Sequence, residues 1–222
     1  MLLHGWGGSS EFTWERNRWI SEIEALGRPV WAPDLPGHGP RGGSNDPNDY
    51  GALADDIWRR RSGDGPFDAI GFSLGAKLIL ALAAQKPGSF RRLVLGGVGA
   101  NVFAPERGAS AVADALESND SAGVPERIRG FVNYARVAGN HPLAVAAVLR
   151  RPPNPALTPA DLSDITKPTL LVYGDQDLTA NPVGPLLSVL SSAKELVLAG
   201  VGHLELPDRA EFRRAALDFI AN

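Results

Sequence analysis

Three residues far apart in the chain could together move a proton and form a covalent bond: Ser73, Asp177 and His203. Ser73 stands in Gly71-Phe72-Ser73-Leu74-Gly75, a G-x-S-x-G run. The run follows the apolar residues Phe67, Ala69 and Ile70 and opens the helix-like stretch Ala76-Lys77-Leu78-Ile79-Leu80-Ala81-Leu82-Ala83. Between a strand and a helix, this motif makes a sharp turn with the serine at its tip. Small flanking residues let the two backbones approach, and the helix N-terminus beneath favours negative charge. A serine hydroxyl is a weak nucleophile at neutral pH. It needs a base, and the base needs an orienting acid.

The chain has four histidines: His4, His38, His141 and His203. His203 lies in Gly200-Val201-Gly202-His203-Leu204-Glu205, after the last strand candidate and before the last helix candidate. That puts it at the carboxyl end of a strand, on the same rim as Ser73. The competing reading is a surface-loop histidine. In the order Ser…Asp…His the acid lies between the two. Asp177 ends Val172-Tyr173-Gly174-Asp175-Gln176-Asp177, just past a strand candidate, and the interval to His203 holds one helix and one strand. Asp175 competes, but directly after the turn glycine it more often closes the turn through its own side chain, so Asp177 is favoured. Acyl transfer also needs donors for a tetrahedral oxyanion. One is expected from the backbone N–H of Leu74. The second is expected from the N–H of Trp6, in the loop His4-Gly5-Trp6-Gly7-Gly8. His4 reads as a residue that fixes this loop rather than one that moves protons.

Elements that could position these groups follow from periodicity. Strand candidates are 1–4, 29–32, 67–72, 93–96, 169–173 and 195–198, and helix candidates lie near 15–26, 50–61, 74–86, 181–191 and 208–221. Alternating strands and helices predict βαβ units, hence a doubly wound, mostly parallel α/β sheet. Continuous apolar runs such as Thr169-Leu170-Leu171-Val172-Tyr173 fit strands covered on both faces. The alternation breaks between about 100 and 164, where helix signals occur near 109–118, 124–138 and 142–150. Pro142 suits an early helical position, Pro152-Pro153 should stop that helix, and Thr158-Pro159-Ala160-Asp161 looks like a capped helix start. The expected division is a core of 1–100 and 161–222 with a helical cap or lid over 101–160. Such an insertion could instead be structural, without substrate contact. Trp6, Phe103, Phe131 and Tyr134 are candidate substrate-binding residues. The cap aromatics could equally form the cap's own core, which their helical spacing favours.

Composition narrows the function further. The 222 residues suit one domain with an insertion, and 21% charged with 44% hydrophobic residues is ordinary for a soluble globular chain. The net charge of −3 comes with no basic run that would suggest nucleic acid or an anionic membrane. With no cysteine, a thiolate metal site, a disulfide framework and a cysteine nucleophile are excluded. No apolar run approaches the ~20 residues that span a bilayer. The first residues already read as strand and functional loop, leaving no room for a secretory signal. A cytoplasmic protein with a small-molecule substrate is expected; oligomeric state is left open.

The chain resembles the α/β-hydrolases. The matching pieces are HGWGG at 4–8, DLPGHG at 34–39, GFSLG at 71–75, YGDQD at 173–177 and GHLE at 202–205, in the family's order. The resemblance implies Ser73 as nucleophile, His203 as base, Asp177 as acid, and neither cofactor nor metal. DLPGHG implies the group that includes small-molecule esterases, lactonases and C–C hydrolases, with Asp34 and His38 as turn-forming residues. The family usually has two further strands before HGxxG, so this sheet is expected to lack them and to leave 29–32 at an edge. The insertion would follow the sixth-strand equivalent. The implied activity is a serine hydrolase acting on a small, largely apolar ester or lactone. A lyase or C–C hydrolase using the same triad, or a slow-turnover binding protein, would carry the same residues.

Overall fold

Period-two alternation along the strands divides the core into two layers, one on each face of a parallel sheet. The computed structural model describes residues 1–221 except 41, 62, 64, 105–107, 119–122 and 153–156. Five strands lie side by side in chain order: β1 (Leu2–Leu3), β2 (Phe67–Phe72), β3 (Phe90–Gly96), β4 (Thr169–Gly174) and β5 (Ala193–Leu198). The described helices are α1 (Trp19–Ala25), α2 (Leu53–Arg60), α3 (Leu74–Gln85), α4 (Ala109–Glu117), α5 (Glu126–Val137), α6 (Pro142–Arg150), α7 (Pro159–Leu162), α8 (Gly184–Leu187) and α9 (Ala210–Ala221). Leu2, Ile70, Val94 and Leu170 stand in one cross-strand row. With Phe72 and Val172 they pack on Trp19 and Ile23 of α1 and Phe212, Ala216 and Ile220 of α9. The alternate residues Leu3, Ala69, Leu93, Leu95 and Leu171 face the opposite way, into a larger core shared with α2, α3 and α4–α6. Both faces are therefore covered, as parallel sheets require.

The second layer carries an aromatic chain. Trp14, Trp19 and Phe212 meet edge-to-face at 5.1 and 4.8 Å, and Trp19 Nε1 donates to Pro207 O at 3.0 Å. Fully burying one such side chain contributes about 2–3 kcal/mol by area alone. The bond to Pro207 also fixes the chain just beyond the His203 loop.

Helix α3 is apolar almost all round, with buried residues from Leu74 through Ala83, because it runs between the sheet and a cover that includes α2 and α7. Helices α4–α7 fill the break in the βα alternation. Thr158 and Asp161 form a reciprocal capping box at the start of α7. Pro153, expected to help end α6, lies outside the described residues.

Three expectations are corrected. The run 29–32 is not a strand, so the sheet has five strands rather than six. Pro29 and Pro33 lack the N–H groups a ladder needs, and one bond, Leu2 N to Trp31 O at 2.9 Å, ties the run to the edge. The helix expected over 15–26 begins only at Trp19, because Arg18 has a left-handed backbone (φ 64°). The helix expected over 181–191 shrinks to one turn, α8. The residues before it serve a neighbouring loop instead: Ala100 N donates to Pro182 O at 2.8 Å.

The close crossing of α3 over β1 sets a strict steric limit. A Cβ on Gly75 would overlap the carbonyl oxygens of Leu3 and His4. Gly75→Ala must push helix and strand apart, and it should lose about 2 kcal/mol or more of folding stability, the scale of overpacking a tight core. Urea unfolding of the variant against the parent measures this; equal midpoints would show that the crossing is slack.

Candidate active site

The turn between β2 and α3 forces Ser73 into an uncommon backbone conformation, φ 50° and ψ −114°. Ser73 N donates to Gly96 O at 2.8 Å, and Ser73 O accepts from Lys77 N at 3.1 Å. Gly71 makes the turn possible: a Cβ there would come within 2.7 Å of the Ala76 backbone. Leu74 is the first residue of α3, so its N–H has no intrahelical acceptor.

Two other strand ends bring their loops to the same point. After β5, the loop delivers His203; after β4, it delivers Asp177. The β4 loop is pinned by Asp175 N to Leu198 O at 3.1 Å and Gln176 N to Val201 O at 3.2 Å. His203 Nε2 lies 3.0 Å from Ser73 Oγ, and His203 Nδ1 lies 2.8 Å from Asp177 Oδ2. All three side chains are buried. Asp177 Oδ1 accepts from the N–H groups of Thr179 and Ala180, each at 2.9 Å. Burial pushes the Asp177 carboxyl up, but the hydrogen bond and charge of His203, with these two N–H groups, outweigh it and hold the pKa below the ordinary carboxylate value. An ionised carboxylate only accepts. The proton therefore sits on Nδ1 of His203, and the lone pair of Nε2 faces the serine hydroxyl. Asp175 points elsewhere, its Oδ1 accepting from Gly200 N at 2.8 Å across the turn.

The loop at residues 4–8 lies against the serine, since a Cβ on Gly5 would stand 3.2 Å from that of Ser73. Its backbone is held by the first two histidines. His4 Nδ1 donates to Gly5 O at 2.8 Å, while its Nε2 accepts from Leu35 N at 3.0 Å. His38 Nδ1 donates to Pro36 O at 3.1 Å, while its Nε2 accepts from Gly7 N at 3.0 Å. Across a trans peptide the C=O and N–H point in opposite directions. Fixing the Gly5 carbonyl therefore also fixes where Trp6 N–H points. Both rings bridge acceptor to donor only when neutral. Burial pushes His4 down to about 4 and His38 down to about 3. Asp34, read with His38 as turn-forming, accepts from Ser10 N at 2.7 Å.

Beside Ser73 opens a cavity of about 250 Å³, slightly below the usual range for drug-sized ligands. Trp6, Phe72, Val112, Ile128, Phe131 and Leu149 make it predominantly apolar. Arg127, Asn101, Thr179 and Asn181 add polar groups to the wall. Phe103 and Tyr134 are not among the described lining residues. Phe103 packs on the large core instead, and Tyr134 stands edge-to-face on Phe12 at 5.2 Å. Composition gave no sign of the polar wall residues, which only the fold collects. Among the described residues, no group of three or more His, Cys, Asp or Glu could hold a metal ion, and no helix is long and apolar enough to cross a membrane.

The sequence matches a family model, the alpha/beta hydrolase family, over residues 1–215. It is 37% identical over 105 residues to a pimeloyl-[acyl-carrier protein] methyl ester esterase of Neisseria meningitidis serogroup B. That alignment covers 47% of this chain and 38% of the relative, so it spans well under half the length of the curated protein. Among solved structures, NosK from Streptomyces actuosus superposes with a TM-score of 0.67 at 26% identity, over 98% of this chain and 95% of NosK. MGS-M2, an alpha/beta hydrolase enzyme from a Medee basin deep-sea metagenome library, superposes with a TM-score of 0.76 at 15% identity, over 100% and 88%. The second likeness is one of fold.

The two neutral histidines make the protein acid-sensitive. Unfolded, His4 and His38 would bind protons below about 6.5; folded, they resist down to about 4 and about 3. The unfolded chain therefore holds more protons in that window, and stability falls as the pH drops from 6.5 towards 4. Near pH 5 the slope should approach two protons, or about 2.7 kcal/mol per pH unit. Urea titrations at pH 7, 6 and 5 check it, and a stability unchanged across this range would contradict the neutral pair.

Proposed function

The chain belongs to the alpha/beta hydrolase family, and we propose that it is a serine hydrolase cleaving a small, largely apolar carboxylic ester or lactone through an acyl-enzyme. The single observation that carries this reading is the unbroken line from Asp177 Oδ2 through His203 to Ser73 Oγ, at 2.8 and 3.0 Å, at the edge of the apolar cavity. In the first step Oγ bonds to the substrate carbonyl carbon while His203 Nε2 takes the hydroxyl proton. The carbonyl oxygen becomes an oxyanion, received by the N–H groups of Trp6 and Leu74. Collapse of this intermediate breaks the C–O bond of the ester, and His203 returns its proton to the leaving alkoxide. A water then attacks the acyl-serine, with His203 again as base, and releases the carboxylic acid. Asp177 stays ionised throughout, holding the tautomer and balancing the imidazolium.

Residues 101–160 act in this reading as a cap: Val112, Ile128, Phe131 and Leu149 come from α4, α5 and α6 and contribute to the cavity wall. The relative named a methyl ester esterase supports an ester as the substrate class. The absence of cysteine fits a reducing compartment, as a cytoplasmic setting would be.

Ser73→Ala should lower p-nitrophenyl ester turnover by about 10³-fold or more while leaving the unfolding transition in place. Turnover near the parent rate in a preparation free of other esterases would overturn the reading. The two aspartates provide a sharper contrast. Asp177→Asn should lose about 10⁴ in kcat, since an amide stabilises the wrong tautomer of His203, whereas Asp175→Asn should lose far less. Steady-state kinetics at equal thermal stability decide it, and the reverse order of damage would remove Asp177 from its role.

A further inference from the structure

Asn140 lies in the turn between α5 and α6, in the segment read above as the cap, yet its side chain bonds to the loop at residues 4–8 beside Ser73 and to Gly39 of the 34–39 turn. It is buried, with 8% of its surface exposed. Its Nδ2 donates to Gly7 O at 2.7 Å, with longer contacts to Gly8 O at 3.3 Å and Ala135 O at 3.2 Å. Its Oδ1 accepts from Gly39 N at 2.8 Å. Only one orientation of the amide satisfies these partners, because turning it over would set oxygen against carbonyl oxygen and NH₂ against N–H. Gly7 is thereby held at both ends, its N–H by His38 and its C=O by Asn140. One residue earlier, the Trp6 indole donates to Val145 O of α6 at 2.9 Å. The stretch that directly follows the Gly5–Trp6 peptide is consequently tied to the α5–α6 turn and to α6.

We propose that Asn140 is a positioning residue for the oxyanion-binding loop, so that the helices between β3 and β4 form part of the catalytic apparatus rather than a detachable cover. The proposal rests on the reading that Trp6 N–H receives the oxyanion. Without the amide, the Gly7 and Gly8 carbonyls lose a buried donor and the loop gains freedom. The transition state then suffers more than the bound substrate, because oxyanion bonds reach full strength only there.

The test measures Asn140→Ala and Asn140→Asp in the full chain, with p-nitrophenyl butyrate as substrate and fluorophosphonate titration to count active sites. Asn140→Asp keeps an oxygen for Gly39 N–H but presents a second oxygen to Gly7 O. Per titrated site, kcat should fall about 10- to 100-fold in the alanine variant and at least as far in the aspartate variant, with KM within about threefold. Inhibition by a trifluoromethyl ketone, which forms a tetrahedral adduct on the serine, should weaken in step with kcat/KM. A merely structural role would lower the titrated fraction and leave the rate per site unchanged; that outcome overturns the proposal. Failure of both variants to fold also overturns it, by making Asn140 a residue of the fold alone. The parent's own turnover tests the proposed hydrolysis, whereas the variant-to-parent ratio per site tests Asn140, so the two can fail separately.

Discussion

Ser73 holds a backbone conformation that a lone turn would not keep, and the rest of the site is arranged around the contacts that impose it. The turn is set by the ladder bond from Ser73 N to Gly96 O and by α3 starting at the next residue. It is wedged by the approach of α3 to β1 at Gly75. Strain of this kind, of order 1–3 kcal/mol, survives only where the surroundings over-determine it. Here it places the hydroxyl between the β5 loop, which carries His203, and the loop at residues 4–8. A parallel sheet with every strand pointing the same way makes this meeting possible, since all its carboxyl-end loops gather on one rim.

The same imidazole ring serves two purposes, and the neighbours decide which. His4 and His38 face a carbonyl on one nitrogen and an N–H on the other, which commits them to the neutral form as braces. His203 faces a buried carboxylate on one nitrogen and a hydroxyl on the other, which leaves a basic lone pair where a proton can be taken. Two braces and the proposed base thus share the rim, and the His4 and His38 rings lie 5.2 Å apart. Keeping the braces neutral costs acid stability. In exchange the peptides beside the serine are fixed before substrate arrives, the condition under which hydrogen-bond donors are most effective for a developing charge.

Much of this was legible in the sequence. The βα alternation and the ordered motifs give the parallel sheet, the helical insertion and the residues that meet around Ser73. The preference for Asp177 over Asp175 rests on local turn chemistry, and the side chains are disposed in that way. What the sequence hid depended on contacts between distant segments. The run 29–32 has strand-like residues, but its prolines deny it a ladder. Helical spacing favours core for Phe103, Phe131 and Tyr134 alike, and only the fold shows that Phe131 lines the cavity while the other two pack elsewhere. Asn140 carries no local signal, because its partners Gly7 and Gly39 lie 133 and 101 positions away.

The central claim is that Ser73 Oγ is the atom that attacks, activated through His203. Labelling with a fluorophosphonate followed by peptide mass spectrometry tests it most directly. One phosphonyl group per chain should appear, on the peptide containing Ser73, and formation of the adduct should abolish ester turnover in proportion. An unlabelled Ser73 in folded, ester-cleaving protein, or full turnover after its labelling, would contradict the claim.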